Sequence, residues 1–285
     1  MKNGILISGI LLLLCFTVCR QKSTDSANSS LSTGKTDVSY GPESDQRMDL
    51  YIPQKTTRKE VFIIIHGGGW RGGRRSQLTL FTHRLMEKFP GHVFANMDYR
   101  LASTSRFALP NQTDDIQRVI DYLEKTLPFK PNYILLGNSA GGHLSMLYAY
   151  RYDRGKKVKA VVNIVGPADL GDPGFKSYDD YAFLENYLAD PKVYGNRESL
   201  MNTVSPVYWV TQTSSPTLSF YGTEDTVVPV SQMKILDSSL QRYHIYHESY
   251  TFNGNHVEWQ NEPNASLLIT KTELFLRNIS KTKTP

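Results

Sequence analysis

Short apolar runs and longer segments of mixed polarity alternate along this chain, and the two kinds of segment carry different periods. Residues 61–65 form a continuous β-branched and aromatic run, the pattern of a strand covered on both faces. Residues 48–52 alternate well enough to predict an early edge strand, ended by Pro53. Further strands are predicted over 92–99, 133–136, 158–165, 216–221 and 243–250. Ile116, Val119, Ile120 and Leu123 recur at helical spacing and predict a helix over 111–128, with Asn111 as its cap and Thr113 and Asp114 in its first turn. An apolar helix is expected after residues 137–142, through about Tyr150, and others over 231–241 and 264–278. Alternation of strand and helix predicts an α/β fold, with a mostly parallel central sheet and helices on both faces. The longest interruption, residues 166–210, turns at Gly171, Asp172, Pro173 and Gly174 and carries an apolar and aromatic run over 178–188 that predicts a short helix. It reads as a cap or rim insertion over a site.

The amino end carries a different signal. Lys2 precedes an apolar stretch over 5–18 that is too short to span a bilayer comfortably, so residues 1–18 read as an export signal. Phe16-Thr17-Val18-Cys19 resembles a bacterial lipoprotein processing site, in which Cys19 becomes the acylated first residue. Val18 is bulkier than the Gly or Ala usual before such a Cys, and Cys15 after Leu14 is an alternative site. Plain secretion and a retained anchor stay open beside lipidation. The expected location is the periplasmic or cell-surface side of a bacterial membrane, or free in the periplasm or medium. Residues 19–37 are almost devoid of apolar side chains and read as a flexible tether, with a single folded domain over 38–285.

Length and composition narrow the function classes. The chain has 285 residues, 40% of them hydrophobic and 21% charged, which is globular composition with enough chain for a full core. The formal charge of +5 includes no Lys/Arg block of the kind that marks a nucleic-acid footprint. Both cysteines, Cys15 and Cys19, lie in the export region, so the folded body has no disulfide, thiolate metal site or catalytic thiol.

Two glycine-rich segments carry the candidate chemistry. Gly137-Asn138-Ser139-Ala140-Gly141 follows a predicted strand and opens a predicted helix, the setting in which G-x-S-x-G presents a serine on a sharp turn. By itself the same run also suits a plain strand-to-helix turn or a phosphate cradle. His66-Gly67-Gly68-Gly69-Trp70 follows the buried strand, and three consecutive glycines cost backbone entropy that makes sense where amides must approach a ligand. The amides of Gly68, Gly69 and Ala140 are the candidate oxyanion donors, and Trp70 is grouped with them as substrate-binding. His66 is expected to brace the loop and His143 to pack behind it. An acid and then a base should follow in chain order. Asp225, in a loop stiffened by Pro229, is preferred to its neighbour Glu224 as the acid, and His256, in the loop 253–257, is the base. His244 and His247 fall in a predicted strand and read as structural. Scattered histidines without H-E-x-x-H spacing argue against a metal centre, and neither glycine run has the G-x-G-x-x-G spacing of a nucleotide cofactor site, so no metal and no cofactor is expected.

In joint order these motifs resemble the α/β-hydrolase superfamily, in particular its carboxylesterase and lipase group with HGGGW and G-x-S-A-G-G motifs, and within it the feruloyl/acetyl-xylan esterase-like branch. The resemblance covers roughly residues 38–280 and includes Tyr40-Gly41, Asp98-Tyr99-Arg100-Leu101, Phe107 through Pro110 to Asp115, Ser205-Pro206-Val207 and Gly222-Thr223-Glu224-Asp225. It implies the α/β-hydrolase fold, with Ser139 as nucleophile, Asp225 as acid, His256 as base, and Gly68, Gly69 and Ala140 as oxyanion donors. It also implies cofactor-free hydrolysis of short-chain or aromatic carboxylic esters, such as acetyl or feruloyl groups on polysaccharide. Asn138 stands where the family often has an acidic residue, and Val257 where a small or aromatic one is common. Arg71, Arg74 and Arg75 suit either an acidic substrate or a solvated rim. A serine peptidase or amidase of the same fold and an inactive binding protein are the competing functions.

Overall fold

The computed structural model describes residues 33–195 and 200–281. The expected export signal over 1–18, with Cys15 and Cys19, lies outside them, as does the expected tether up to residue 32. Among the described residues, eight strands form one sheet: β1 (Thr33–Ser39), β2 (Arg47–Ile52), β3 (Glu60–Ile65), β4 (Val93–Met97), β5 (Asn132–Asn138), β6 (Val158–Ile164), β7 (Thr217–Gly222) and β8 (His247–Phe252). Their spatial order is β1-β2-β4-β3-β5-β6-β7-β8. The β1/β2 and β2/β4 pairs are antiparallel and all others parallel, so the expected mostly parallel sheet is present.

Period-two alternation within the buried strands divides the core into two layers. Val61, Ile63 and Ile65 of β3, with Tyr133 and Leu135 of β5, face one layer. Phe62 and Ile64, with Ile134 and Leu136, face the other. The first layer is covered by α2 (Asn111–Thr126), α3 (Ala140–Leu147) and α7 (Ser231–Arg242), which bury Ile116, Val119, Leu144 and Leu236 against it. The second is covered by α1 (Thr79–Lys88) and α8 (Asn264–Lys281) through Phe81, Leu85, Leu268 and Phe275. Each such side chain taken fully out of water contributes about 1.5–3 kcal/mol. The insertion between β6 and β7 contains α4 (Tyr181–Tyr187), α5 (Pro191–Tyr194) and α6 (Leu200–Val204).

Several expectations need correction. Strand β2 is not an edge, because β1 pairs along it from Thr33↔Ile52 to Ser39↔Arg47. Strand β1 therefore lies within the expected tether, from Thr33 on. Gly34, Lys35, Thr36 and Asp37 are exposed, and β1 is held by main-chain pairing that leaves no apolar signature. Strand β8 begins at His247 rather than at 243, since Tyr243 and His244 belong to the turn that ends α7. Asn111 does not cap α2: its amide group donates to the Phe107 carbonyl at 2.9 Å.

Chain order and spatial order disagree at β3, where the connection from β4 crosses back to β5. The carboxyl ends of β3 and β5 are therefore adjacent, with Ile65 opposite Gly137. Such a switch point leaves a crevice between the loops that leave the two strands. Here those loops are the triple-glycine run and the Ser139 turn.

Candidate active site

Ser139 is the single residue between β5 and α3, with φ 53° and ψ −123°, a backbone state that costs of order 1–3 kcal/mol for a residue with a side chain. Its amide donates to the Ile164 carbonyl at 2.8 Å, and its carbonyl accepts the His143 amide at 3.1 Å, so both sides of the turn are tied down. The small residues around it follow from crowding. A Cβ on Gly141 would stand 2.1 Å from the Ile65 carbonyl oxygen, and one on Gly137 would stand 2.3 Å from the Gly141 carbonyl.

The loops after β7 and β8 meet beside this turn. They are joined by the Thr223 amide on the Phe252 carbonyl and the Glu224 amide on the Gly254 carbonyl, both at 3.0 Å. Asp225 is buried, and its Oδ1 accepts the amides of Val227 at 2.8 Å and Val228 at 2.9 Å. That leaves Oδ2 for His256 Nδ1 at 2.7 Å, while His256 Nε2 lies 2.9 Å from Ser139 Oγ. An ionised carboxylate can only accept, so Nδ1 carries the proton and Nε2 is free to accept the Ser139 hydroxyl proton. Glu224 is exposed and has no part in this chain of bonds.

The glycine run is braced from beneath. His66 Nδ1 donates to the Gly67 carbonyl at 2.6 Å, its ring stacks on Tyr99 at 4.2 Å, and the Tyr99 hydroxyl donates to the His66 carbonyl at 2.9 Å. Burial pushes the His66 imidazole below its ordinary value, which keeps it neutral. The Gly67 amide donates to Asn138 Oδ1 at 3.0 Å, so the residue that departs from the acidic pattern ties the loop to the serine turn. A Cβ on Gly67 would come 3.0 Å from the Ser139 Cβ, which places the two segments side by side. Gly68 has φ 118°, and its carbonyl accepts the Gly72 amide at 2.9 Å. Among the described residues the amides of Gly68 and Gly69 donate to no protein acceptor. Ala140 is the first residue of α3, where an amide has no intrahelical acceptor.

Trp70, expected to bind substrate, is turned into the core. Its ring is 2% exposed, and its indole N–H is committed to His143 Nδ1 at 3.2 Å. His143 Nε2 in turn donates to the Val204 carbonyl at 2.8 Å, so this buried imidazole is a neutral brace between loop and insertion. Gln112 completes the support by donating to the Trp70 carbonyl at 2.6 Å, a role that nothing in its sequence context signals. Within the basic cluster Arg71 and Arg74 are exposed, as a solvated rim requires, whereas Arg75 is partly buried. Arg75 pairs with Asp37, Asp49 and Asp98, and Arg71 pairs with Asp180, so these two charges are matched within the protein.

Comparison with known proteins bears on this arrangement. Residues 48–240 match the BD-FAE family. The chain is similar to Esterase LipC of Mycobacterium tuberculosis, at 29% identity over 69% of this chain and 52% of that protein. It is also similar to kynurenine formamidase of Drosophila melanogaster, at 28% identity over 60% of this chain and 55% of that one. The chain thus spans about half the length of these curated relatives. Among solved structures it shares its fold with esterase B from Lactobacillus rhamnosis, with a TM-score of 0.71 at 21% identity over 88% of each chain. A truncated carbohydrate esterase from gut microbiota has a TM-score of 0.69 at 20% identity, over 89% of this chain and 99% of that one.

Proposed function

The chain belongs to the BD-FAE family within the α/β-hydrolase superfamily, and from that premise we propose that it hydrolyses carboxylic esters through an acyl-enzyme on Ser139. The observation that carries this proposal is the continuous hydrogen-bonded line from Ser139 Oγ through His256 to Asp225, beside two uncommitted glycine amides. Ser139 Oγ attacks the ester carbonyl carbon as its proton passes to His256 Nε2. The carbonyl oxygen becomes an oxyanion that the amides of Gly68, Gly69 and Ala140 stabilise, each such donor being worth about 10²–10³ in kcat. Collapse of the tetrahedral species breaks the bond to the alcohol, which leaves with the His256 proton. Water then repeats the sequence on the acyl-enzyme, giving its proton to His256 and releasing the acid. Asp225 holds the imidazole tautomer throughout and stabilises the imidazolium that forms at each attack.

Short-chain or aromatic acyl esters are the proposed substrates, including acetyl or feruloyl groups carried on polysaccharide. A panel of nitrophenyl esters run on wild type and Ser139→Ala tests this: turnover should be lost in the variant, and equal turnover by a folded variant overturns it. A second activity, cleavage of an aryl formamide, is favoured by the similarity to kynurenine formamidase and would use the same machinery with an amine as leaving group. An N-formyl aryl amide assayed beside the esters separates the two by kcat/KM. We also propose that the chain is exported and acylated at Cys19, supported by the sequence around that residue.

A further inference from the structure

The insertion after β6 lays one side chain against the glycine run. A Cβ added to Gly69 would come 2.9 Å from the Tyr178 hydroxyl, so this phenol stands directly over the residue whose amide is assigned to the oxyanion. Tyr178 is half-buried and stacks on the fully buried Phe175, with ring centroids 5.7 Å apart.

The segment carrying it is fastened at two places. Arg71, two residues beyond Gly69, places Nη2 2.6 and 2.7 Å from the two oxygens of Asp180, and its guanidinium lies 4.8 Å from the Phe183 ring centre. At the end of α4, the amides of Ala108 and Leu109 donate to the carbonyls of Tyr187 at 3.1 Å and Leu188 at 2.8 Å. A wall pinned at two places beyond Tyr178, with Tyr178 itself stacked on the buried Phe175, has a fixed height above Gly69. Burial, with the nearby Asp180 charge, pushes the Tyr178 phenol above its ordinary value, so it remains a neutral group in the working range.

Sheet order decides which part of an ester meets this wall. The His256 loop follows β8 and the glycine run follows β3, on opposite sides of the Ser139 turn after β5. The leaving alcohol must lie toward His256 to receive its proton and the carbonyl oxygen must point at the glycine amides, which leaves the acyl group to flank the glycine run on the side away from His256. We propose that Tyr178 is a specificity-determining residue that bounds the acyl pocket above Gly69 and selects esters of compact, acetyl-sized acids over bulky aromatic or long-chain ones. This rests on the acyl-enzyme function proposed above and narrows its substrate class.

The experiment measures kcat/KM for nitrophenyl acetate, hexanoate and ferulate with wild type, Tyr178→Ala and Tyr178→Phe, each first titrated with a small ethyl phosphonate that reports an assembled Ser139. Wild type should prefer acetate. Tyr178→Ala should shift the ratio toward the bulky esters by at least about tenfold, the scale on which pocket size discriminates. Tyr178→Phe keeps the bulk and should keep the ratio. If Tyr178→Ala takes no label and does not fold, Arg71→Gln, which frees the wall, should shift the ratio in the same direction. A labelled Tyr178→Ala, or Arg71→Gln in its place, whose ratio matches wild type, or a wild type that prefers the bulky esters, overturns the inference. A folded wild type that takes no label overturns the acyl-enzyme function instead.

Discussion

Trp70 and His143 form a closed contact beneath the glycine run: the indole N–H donates to Nδ1 at 3.2 Å with the rings edge to face, 5.1 Å apart. The opposite nitrogen is committed to the Val204 carbonyl, so no site on the imidazole is left for a second proton without breaking one of the two bonds. Burial pushes His143 down to about 4 from an ordinary value near 6.5.

A pH dependence of stability follows from that contact. The unfolded chain binds a proton near 6.5 that the folded chain refuses until about 4, so unfolding takes up protons in between. The contribution is complete above about pH 6.5 and is lost as pH falls toward 4, amounting to about 3 kcal/mol for this group. His66 shifts in the same direction and adds to it. Urea unfolding at successive pH values should show stability falling below about pH 6.5 in wild type and falling less steeply in His143→Gln. Equal slopes in the two proteins would contradict the assignment.

Asp225→Asn should leave the fold intact while holding His256 in the wrong tautomer, because the asparagine amide can donate where the carboxylate could only accept. Loss of about 10⁴ in kcat with KM little changed is the expected outcome in steady-state ester kinetics. Glu224→Gln, at the exposed neighbour, should lie close to wild type, and a reversal of the two effects would reassign the acid.

Gly141→Ala tests the crowding argument at the serine turn. The added methyl would meet the Ile65 carbonyl at 2.1 Å and the His66 carbonyl at 2.6 Å, both backbone atoms that cannot swing aside. Destabilisation of about 3 kcal/mol in chemical denaturation is expected, at the upper end of what overpacking costs. A change within experimental error would mean that β3 and the turn are not held this close.

Acylation is tested in cells with an alkyne-tagged fatty acid. The full chain should incorporate label and partition with membranes, and Cys19→Ser should do neither. Label retained in that variant but lost in Cys15→Ser moves the site, and label in neither protein removes the lipid anchor.

The strands that carry the candidate site were legible because their burial on both faces leaves a hydrophobic signature, as at Ile63 and Leu135. The residues of the candidate site were legible too, since a serine turn and a glycine loop packed this closely demand small residues in fixed order. The supporting shell was not. Gln112, Asp180 and Tyr178 act through contacts between elements far apart in sequence, and each looks like an ordinary polar or aromatic residue in its own segment. Strand β1 stayed hidden because a main-chain ladder with exposed side chains has no composition of its own. Trp70 was misplaced because adjacency in sequence to Gly69 says nothing about which side of the loop its ring takes. The pairing of Arg75 stayed hidden for a related reason: Asp37 and Asp49, which match it, come from β1 and β2.

The most direct test of the central claim is rapid mixing with an activated ester, followed by acid quench and peptide mass mapping. A burst of alcohol matched by one acyl adduct on the peptide containing Ser139 is expected, with both absent in Ser139→Ala. Ester turnover without an adduct on that peptide, or turnover that survives in Ser139→Ala, would contradict it.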